Sequence, residues 1–197
     1  MNRQKFFDQF KDIFSNEDIL KISWAYWIAK QAHHNQKRDN GDRYFEHCRR
    51  VACLTFDHAR LYVYSTPTVK EVITALLHDC VEDCFPPQNF LRTLFGEEVA
   101  LGVDTLSKIN PVFDEATGTI IEKKKKNLQE YYAKIANSDM WIRRIKLCDR
   151  FDNLSGMDVW PEARKEKYRK ETGEYILPIA NEINWDLYTK LKGLLNS

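Results

Sequence analysis

A chain of 197 residues that is 43% apolar, with only seven glycines and six prolines, suits one helical domain and argues against a disordered or fibrous protein. Its 30 basic residues nearly cancel 29 acidic ones, and a net charge of +1 supplies no field to draw the molecule onto nucleic acid or anionic lipid. A small-molecule partner is expected.

No apolar run is long enough to span a bilayer, and the amphipathic opening MNRQKFFDQFKDIF lacks the core of a signal peptide, so a cytoplasmic protein is expected. Ser15 or Asn16 caps a helix through SNEDILKISWAYWIAKQAHH, where Ile19, Ile22, Ala25, Ile28, Ala29 and Ala32 recur at helical spacing. NGDR at 40–43 reads as a turn, and the helical pattern resumes in YFEHCRRVACLTFDHARLYV with His47 in its first turn. Thr66-Pro67 starts a further helix, with Pro at its first position, running through TVKEVITALLHDCVED to Phe85-Pro86-Pro87. Two shorter helices broken near Gly96 follow. The stretch NPVFDEATGTIIEKK is expected to be a mobile loop, and 110–125 a candidate lid, with Lys123 to Lys126 the solvated start of the next helix. DMWIRRIKLCDRFDNLSGM is helical, and the terminal helices should kink or break around Gly173 and Pro178. No strand is expected. The five cysteines at 48, 53, 80, 84 and 148 include no C-x-x-C pair, which disfavours a disulfide framework and a zinc knuckle. The tryptophans at 24, 27, 141, 160 and 185 are assigned to the core or a partner surface.

The stretch ALLHDCVEDC places His78, Asp79, Glu82 and Asp83 behind an apolar run. Residues three and four apart share a helix face, and two carboxylates about 5 Å apart repel by roughly 3 kcal/mol at an effective dielectric near 20. The negative end of the helix dipole makes the position worse, and a cation would relieve it. Ligands from other segments would be needed, and His47 and Asp149 are the candidates, with Asn153 one turn beyond Asp149. Taken singly, His47 reads as an ordinary polar residue and Glu82 and Asp83 as a solvated helix end. His33, His34 and His58 are read as structural or surface residues.

Three blocks, HHNQKRDNGDRYFEHCRRVA, LLHDCVEDC and IKLCDRFDNL, with a weaker fourth in ETGEYILPIA, occur in the order found in one family. The chain resembles the HD-domain alarmone hydrolases, the hydrolase domains of RelA/SpoT proteins and their small single-domain relatives. The resemblance covers about residues 20–182. It implies an all-α, single-domain HD-type bundle of about ten helices, with residues 1–197 forming that one domain. It also implies a divalent ion, commonly manganese with zinc or iron as alternatives, held by His47, His78, Asp79 and Asp149. Glu82 and Asp83 would position the attacking water and handle its proton. Arg38, Lys37, Tyr44 and Asn153 would contact the substrate, implied to be guanosine tetra- or pentaphosphate, whose 3′-pyrophosphate is removed to leave GDP or GTP. The chain departs from the family pattern at Asp39, where a Lys stands, at Cys48 in place of Pro, and at Asp152 in place of His. Asp39 puts an anion near a polyanionic substrate and keeps open a phosphohydrolase of NADPH or another nucleotide; a silent nucleotide-binding module is the third reading. The oligomeric state is left open by the sequence.

Overall fold

The computed structural model describes residues 2–61, 66–83, 88–114 and 120–196, with Asp83, Gln88 and Phe113 described in backbone alone. Among them the chain runs α1 (Arg3–Asp8), α2 (Asn16–Ala32), α3 (Tyr44–Arg60), α4 (Val69–Leu77), α5 (Cys80–Asp83), α6 (Gln88–Phe95) and α7 (Glu97–Leu106). A hairpin of β1 (Ile109–Phe113) and β2 (Ile120–Lys125) follows. Then come α8 (Leu128–Ala136), α9 (Met140–Ser155), α10 (Glu162–Glu171), a π turn (Thr172–Ile176), α11 (Leu177–Ile183) and α12 (Trp185–Leu195). The architecture is the expected helical one.

Local chemistry sets the boundaries. The Ser15 side chain accepts from the Asp18 amide and caps α2, as its sequence predicts. Gly41 and Gly96, at φ of 87° and 90°, make the two left-handed turns that admit α3 and separate α6 from α7. Pro67, expected inside its helix, lies before it: Thr68 is the cap, and its amide donates to the Glu71 carboxylate at 2.9 Å.

α4 is buried on every face from Glu71 to Leu77, which makes it the central helix, packed by α2, α3, α7 and α9. Leu76 and Leu77 are fully buried, each contributing about 1.5–3 kcal/mol by leaving water. A cluster of Phe6, Phe10, Tyr26, Phe45 and Phe56 fastens α1 to α2 and α3, with Phe10 edge-on to Phe56 at 4.8 Å.

The expectations of one unbroken helix, of a loop with no strand, and of a helix start at Lys123 are corrected. The helix expected to run unbroken through ALLHDCVED breaks at His78 and Asp79, between α4 and α5. The segment expected as a loop is largely an antiparallel hairpin pairing Ile109 with Lys125 and Pro111 with Lys123; residues 115–119 of the candidate lid lie outside the described residues. Lys123, Lys124 and Lys125 therefore sit on β2, and α8 starts after Asn127, whose side chain accepts from the Gln129 and Glu130 amides. The kink near Gly173 and Pro178 takes the form of the π turn, and the break between the last two helices falls at Asn184, which caps α12.

Candidate metal centre

The break after α4 turns the side chains of His78 and Asp79 toward α3 and α9. His78 Nδ1 lies 2.8 Å from the Ala75 carbonyl, and His47 Nδ1 lies 2.7 Å from Asp152 Oδ2. Both partners can only accept, so each Nδ1 carries a proton. That leaves both Nε2 atoms directed at a common space between the rings, whose centroids are 5.2 Å apart. Each Nε2 is buried and has no hydrogen-bond partner. Asp79 Oδ2 stands 3.1 Å from His78 Nε2 and 3.5 Å from His47 Nε2; Asp149 Oδ1 stands 3.3 Å from His47 Nε2 and 3.7 Å from His78 Nε2. His47, His78 and Asp79 each present a ligand atom within 4.8 Å of the others, with Asp149 beside them. Two orphaned imidazole nitrogens facing carboxylate oxygens fit a divalent ion, which takes such mixed N/O donors.

Further groups orient the acids. The Tyr44 hydroxyl donates to Asp79 Oδ2 at 2.7 Å, and His33 stacks on the Tyr44 ring at 4.8 Å. Lys146 Nζ donates to Asp149 Oδ2 at 2.8 Å, and Asn153 Nδ2 to Asp149 Oδ1 at 2.6 Å. The electrostatics follow from this crowding. Burial opposes the charge on His47, but the carboxylates of Asp149, Asp152 and Asp79 outweigh it and raise its pKa to about 9. His78 is likewise raised against burial, chiefly by Asp79. Burial pushes Asp149 up, and Lys146 and both imidazoles more than reverse it, holding the group well below the usual carboxylate range. Glu82 goes the other way: burial and the Asp79 charge raise it.

The centre opens into a cavity of about 380 Å³ lined by Lys37, Arg38, Tyr44, Glu82, Lys108, Asn153 and Arg164 among others. Glu82 accepts a hydrogen bond from the amide of Lys108, the residue just before β1, which places its carboxyl on the cavity wall. The Arg164 guanidinium lies over the Trp160 ring, 3.9 Å from its centroid, and pairs with Asp39 at 3.0 Å. The structure thus brings His47, His78, Asp79, Asp149, Glu82, Lys37, Arg38, Tyr44 and Asn153 to one place; the side chain of Asp83 lies outside the described residues. Sequence reasoning passed over Lys108, Lys146, Arg164 and Asp152. Lys146 was findable, three residues before Asp149 on one helix face, whereas nothing in the sequence brings Lys108 or Arg164 here.

A family model described as "HD domain" matches residues 25–183. The chain belongs to the HD domain family. HD domains bind divalent metal ions, in keeping with the donor set just described. This HD domain is 31% identical over 180 residues to the guanosine-3′,5′-bis(diphosphate) 3′-pyrophosphohydrolase of Aquifex aeolicus, covering 87% of the chain and 23% of the relative. It is 29% identical over 171 residues to the probable GTP diphosphokinase RSH3, chloroplastic, of Arabidopsis thaliana, covering 87% and 22%. The chain thus spans about a quarter or less of the length of these relatives. A solved structure described as a metazoan orthologue of SpoT that hydrolyses ppGpp shares the fold of this HD domain, with a TM-score of 0.72, 22% identity and coverage of 89% of this chain and 94% of that one. No helix among the described residues is long and apolar enough to cross a membrane.

Proposed function

We propose that this HD domain hydrolyses guanosine tetra- or pentaphosphate at the 3′ position, giving GDP or GTP and pyrophosphate. His47, His78, Asp79 and Asp149 would hold the divalent ion, with manganese the ion we favour, and residues 1–197 would act as one unit, since Phe10, just after α1, packs on Phe56 of α3, and α12 packs on α9. The observation that carries this reading is the pair of buried, unpartnered Nε2 atoms beside Glu82 in a cavity rich in lysine and arginine. The names of the relatives supply the substrate class.

The ion, when bound, supplies Lewis acidity toward water and neutralises phosphoryl oxygens. The protein's own groups account for the rest. Glu82, raised by burial and by Asp79, is poised to take a proton from water at the carboxylate oxygen that the Lys108 amide leaves open. Asp83, its neighbour on α5, is proposed to share that task. Water adds to the phosphorus, the bond from phosphorus to the ribose 3′ oxygen breaks, and the departing oxygen takes up a proton. Lys108 and Lys146 line the cavity, paired with Glu171 at 2.9 Å and Asp149 at 2.8 Å, and in this reading each shares its positive charge between that carboxylate and the phosphoryl groups. Arg38 is spent on Asp152 and Asn153, at 2.8 and 2.7 Å, so in this reading it fixes the Asn153 amide, while Lys37 and Arg164 meet the nucleotide.

Asp39 favours a second reading. In that reading the Asp39 carboxylate keeps Arg164 paired instead of leaving it to meet the nucleotide, which suits a substrate bearing a single terminal phosphate, such as NADPH. Assays of the manganese-loaded protein on ppGpp, pppGpp and NADPH decide between them. We expect pyrophosphate and GDP from ppGpp; release of inorganic phosphate from NADPH with ppGpp left intact would establish the alternative. Saturable ppGpp binding without any product would leave a nucleotide-binding module.

A further inference from the structure

Asp152 stands on α9 between the segments that carry the site, and its side chain is 7% exposed. A carboxylate so buried is costly unless its lone pairs are filled. Here they are filled from three directions. Oδ2 accepts from His47 Nδ1 at 2.7 Å, from Arg38 Nη1 at 2.8 Å and from Arg50 Nη2 at 3.1 Å, while Oδ1 accepts from Arg50 Nε at 2.6 Å. The two partners on α3, His47 and Arg50, are three residues apart and share one face of that helix. Arg38 reaches in from the turn before it.

The contacts do not stop at Asp152. The second nitrogen of Arg38, Nη2, donates to Asn153 Oδ1 at 2.7 Å, which fixes the amide so that its Nδ2 donates to Asp149 Oδ1 at 2.6 Å. That same Oδ1 faces both orphaned imidazole nitrogens. One carboxylate therefore holds His47 directly and Asp149 through a chain of two side chains. A neutral imidazole at position 152 has a single acceptor nitrogen and could not serve His47, Arg38 and Arg50 together.

We infer that Asp152 is the positioning residue of the cation centre: it locks His47 with Nε2 turned inward and, through Arg38 and Asn153, turns Asp149 Oδ1 to the same point. The inference rests on the proposal that His47 and Asp149 hold a divalent ion. It assigns the tight binding of that ion to a residue that never touches it, as the outer partners of metal-bound imidazoles do elsewhere.

The test uses the full chain, stripped of metal and titrated with Mn²⁺ by calorimetry, as wild type and as Asp152→Asn. Arg144→Met, which breaks the buried ion pair with Glu71 on α4, serves as the control for general loss of stability. Asp152→Asn should weaken Mn²⁺ binding about 10- to 100-fold, while Arg144→Met leaves it unchanged. In the metal-free protein, the Nδ1 proton of His47 should give an exchange-protected downfield NMR signal that Asp152→Asn abolishes. Wild-type affinity in a folded Asp152→Asn protein would overturn the inference and leave the hydrolase reading standing. A wild type that binds no divalent ion would instead remove the cation centre itself, and the inference with it. If Asp152→Asn does not fold, Arg50→Gln strips two of the bonds and keeps the carboxylate; it should weaken Mn²⁺ binding in the same direction, and unchanged affinity would count against Asp152.

Discussion

Arg144 on α9 donates through Nη1 to Glu71 on α4 at 2.6 Å, with side-chain exposures of 6% and 2%. The pair joins the central helix to the helix that carries Asp149, deep enough that neither charge can be hydrated alone. Arg144→Ala should therefore cost about 3–5 kcal/mol, because it strands a buried carboxylate. A double replacement by Leu at 71 and Met at 144 should recover part of that loss, since Leu also gives up the bond that Glu71 accepts from the Thr68 amide. Urea denaturation of the wild type and the two variants measures both effects.

A second pair, Arg150 with the partly buried Glu171, contributes to the response to acid. Burial pushes the Glu171 carboxyl up, but the Tyr132 hydroxyl and the guanidinium of Arg150 outweigh it and bring its pKa from 4.5 to about 2. Because the folded value is depressed, the stabilisation is complete above pH 4.5 and is lost as pH falls toward 2. The group contributes on the order of 2–3 kcal/mol at neutral pH. Glu171→Gln should lower stability at pH 7 and flatten its decline between pH 4.5 and 2, as followed by melting temperature across that window.

Gly102 on α7 has no room for a side chain. A Cβ there would come within 2.6 Å of Trp141 Cη2 and 3.1 Å of Thr74 Cγ2. Gly102→Ala should destabilise by about 1–3 kcal/mol from overpacking, less the fraction of a kcal/mol that Ala gains over Gly in a helix. Trp141→Leu in the same chain should relieve the clash, and thermal melts of the single and double variants report it.

The two acids on either side of the α5 start should separate in function. Asp79→Ala should abolish binding of the divalent ion, whereas Glu82→Gln should retain the ion and lose about 10²- to 10⁴-fold in turnover. Elemental analysis alongside single-turnover assays checks both, and activity surviving both changes would rule out the mechanism.

Arg164→Ala should raise KM for the nucleotide with little change in kcat, since it removes a contact on the rim and leaves the reacting centre intact. Loss of one charge-assisted hydrogen bond is worth about 1.5–3 kcal/mol, or roughly 10- to 150-fold in kcat/KM. Steady-state kinetics on ppGpp provide the measurement.

Helix starts with side-chain caps and the glycine turns were legible because each depends on residues a few positions apart, as at Ser15, Gly41 and Gly96. The break at His78 and Asp79 was hidden because apolar residues continue on both sides of it, through Leu77 to Cys80 and Val81. The hairpin was hidden for another reason: β2 is exposed along nearly its whole length, and its lysines give neither a two-residue nor a 3.6-residue rhythm. Within the site, His47, His78, Asp79 and Asp149 could be grouped through quoted motifs. The importance of Asp152 could not, since it lies 105 positions from His47 and reads in isolation as a harmless departure from a pattern.

The π turn at Thr172–Ile176 carries one more residue than an ordinary helical turn, just ahead of Pro178, whose ring lacks the amide needed for regular bonding. That extra residue sets the rotational phase of everything downstream. Excising Gly173 would rewind α11 by roughly 100°, swinging Ile179 and Ala180 out of the core and carrying the seat of α12 with them. The irregular turn thus works as a phase shifter between the cavity wall and the carboxy-terminal helices.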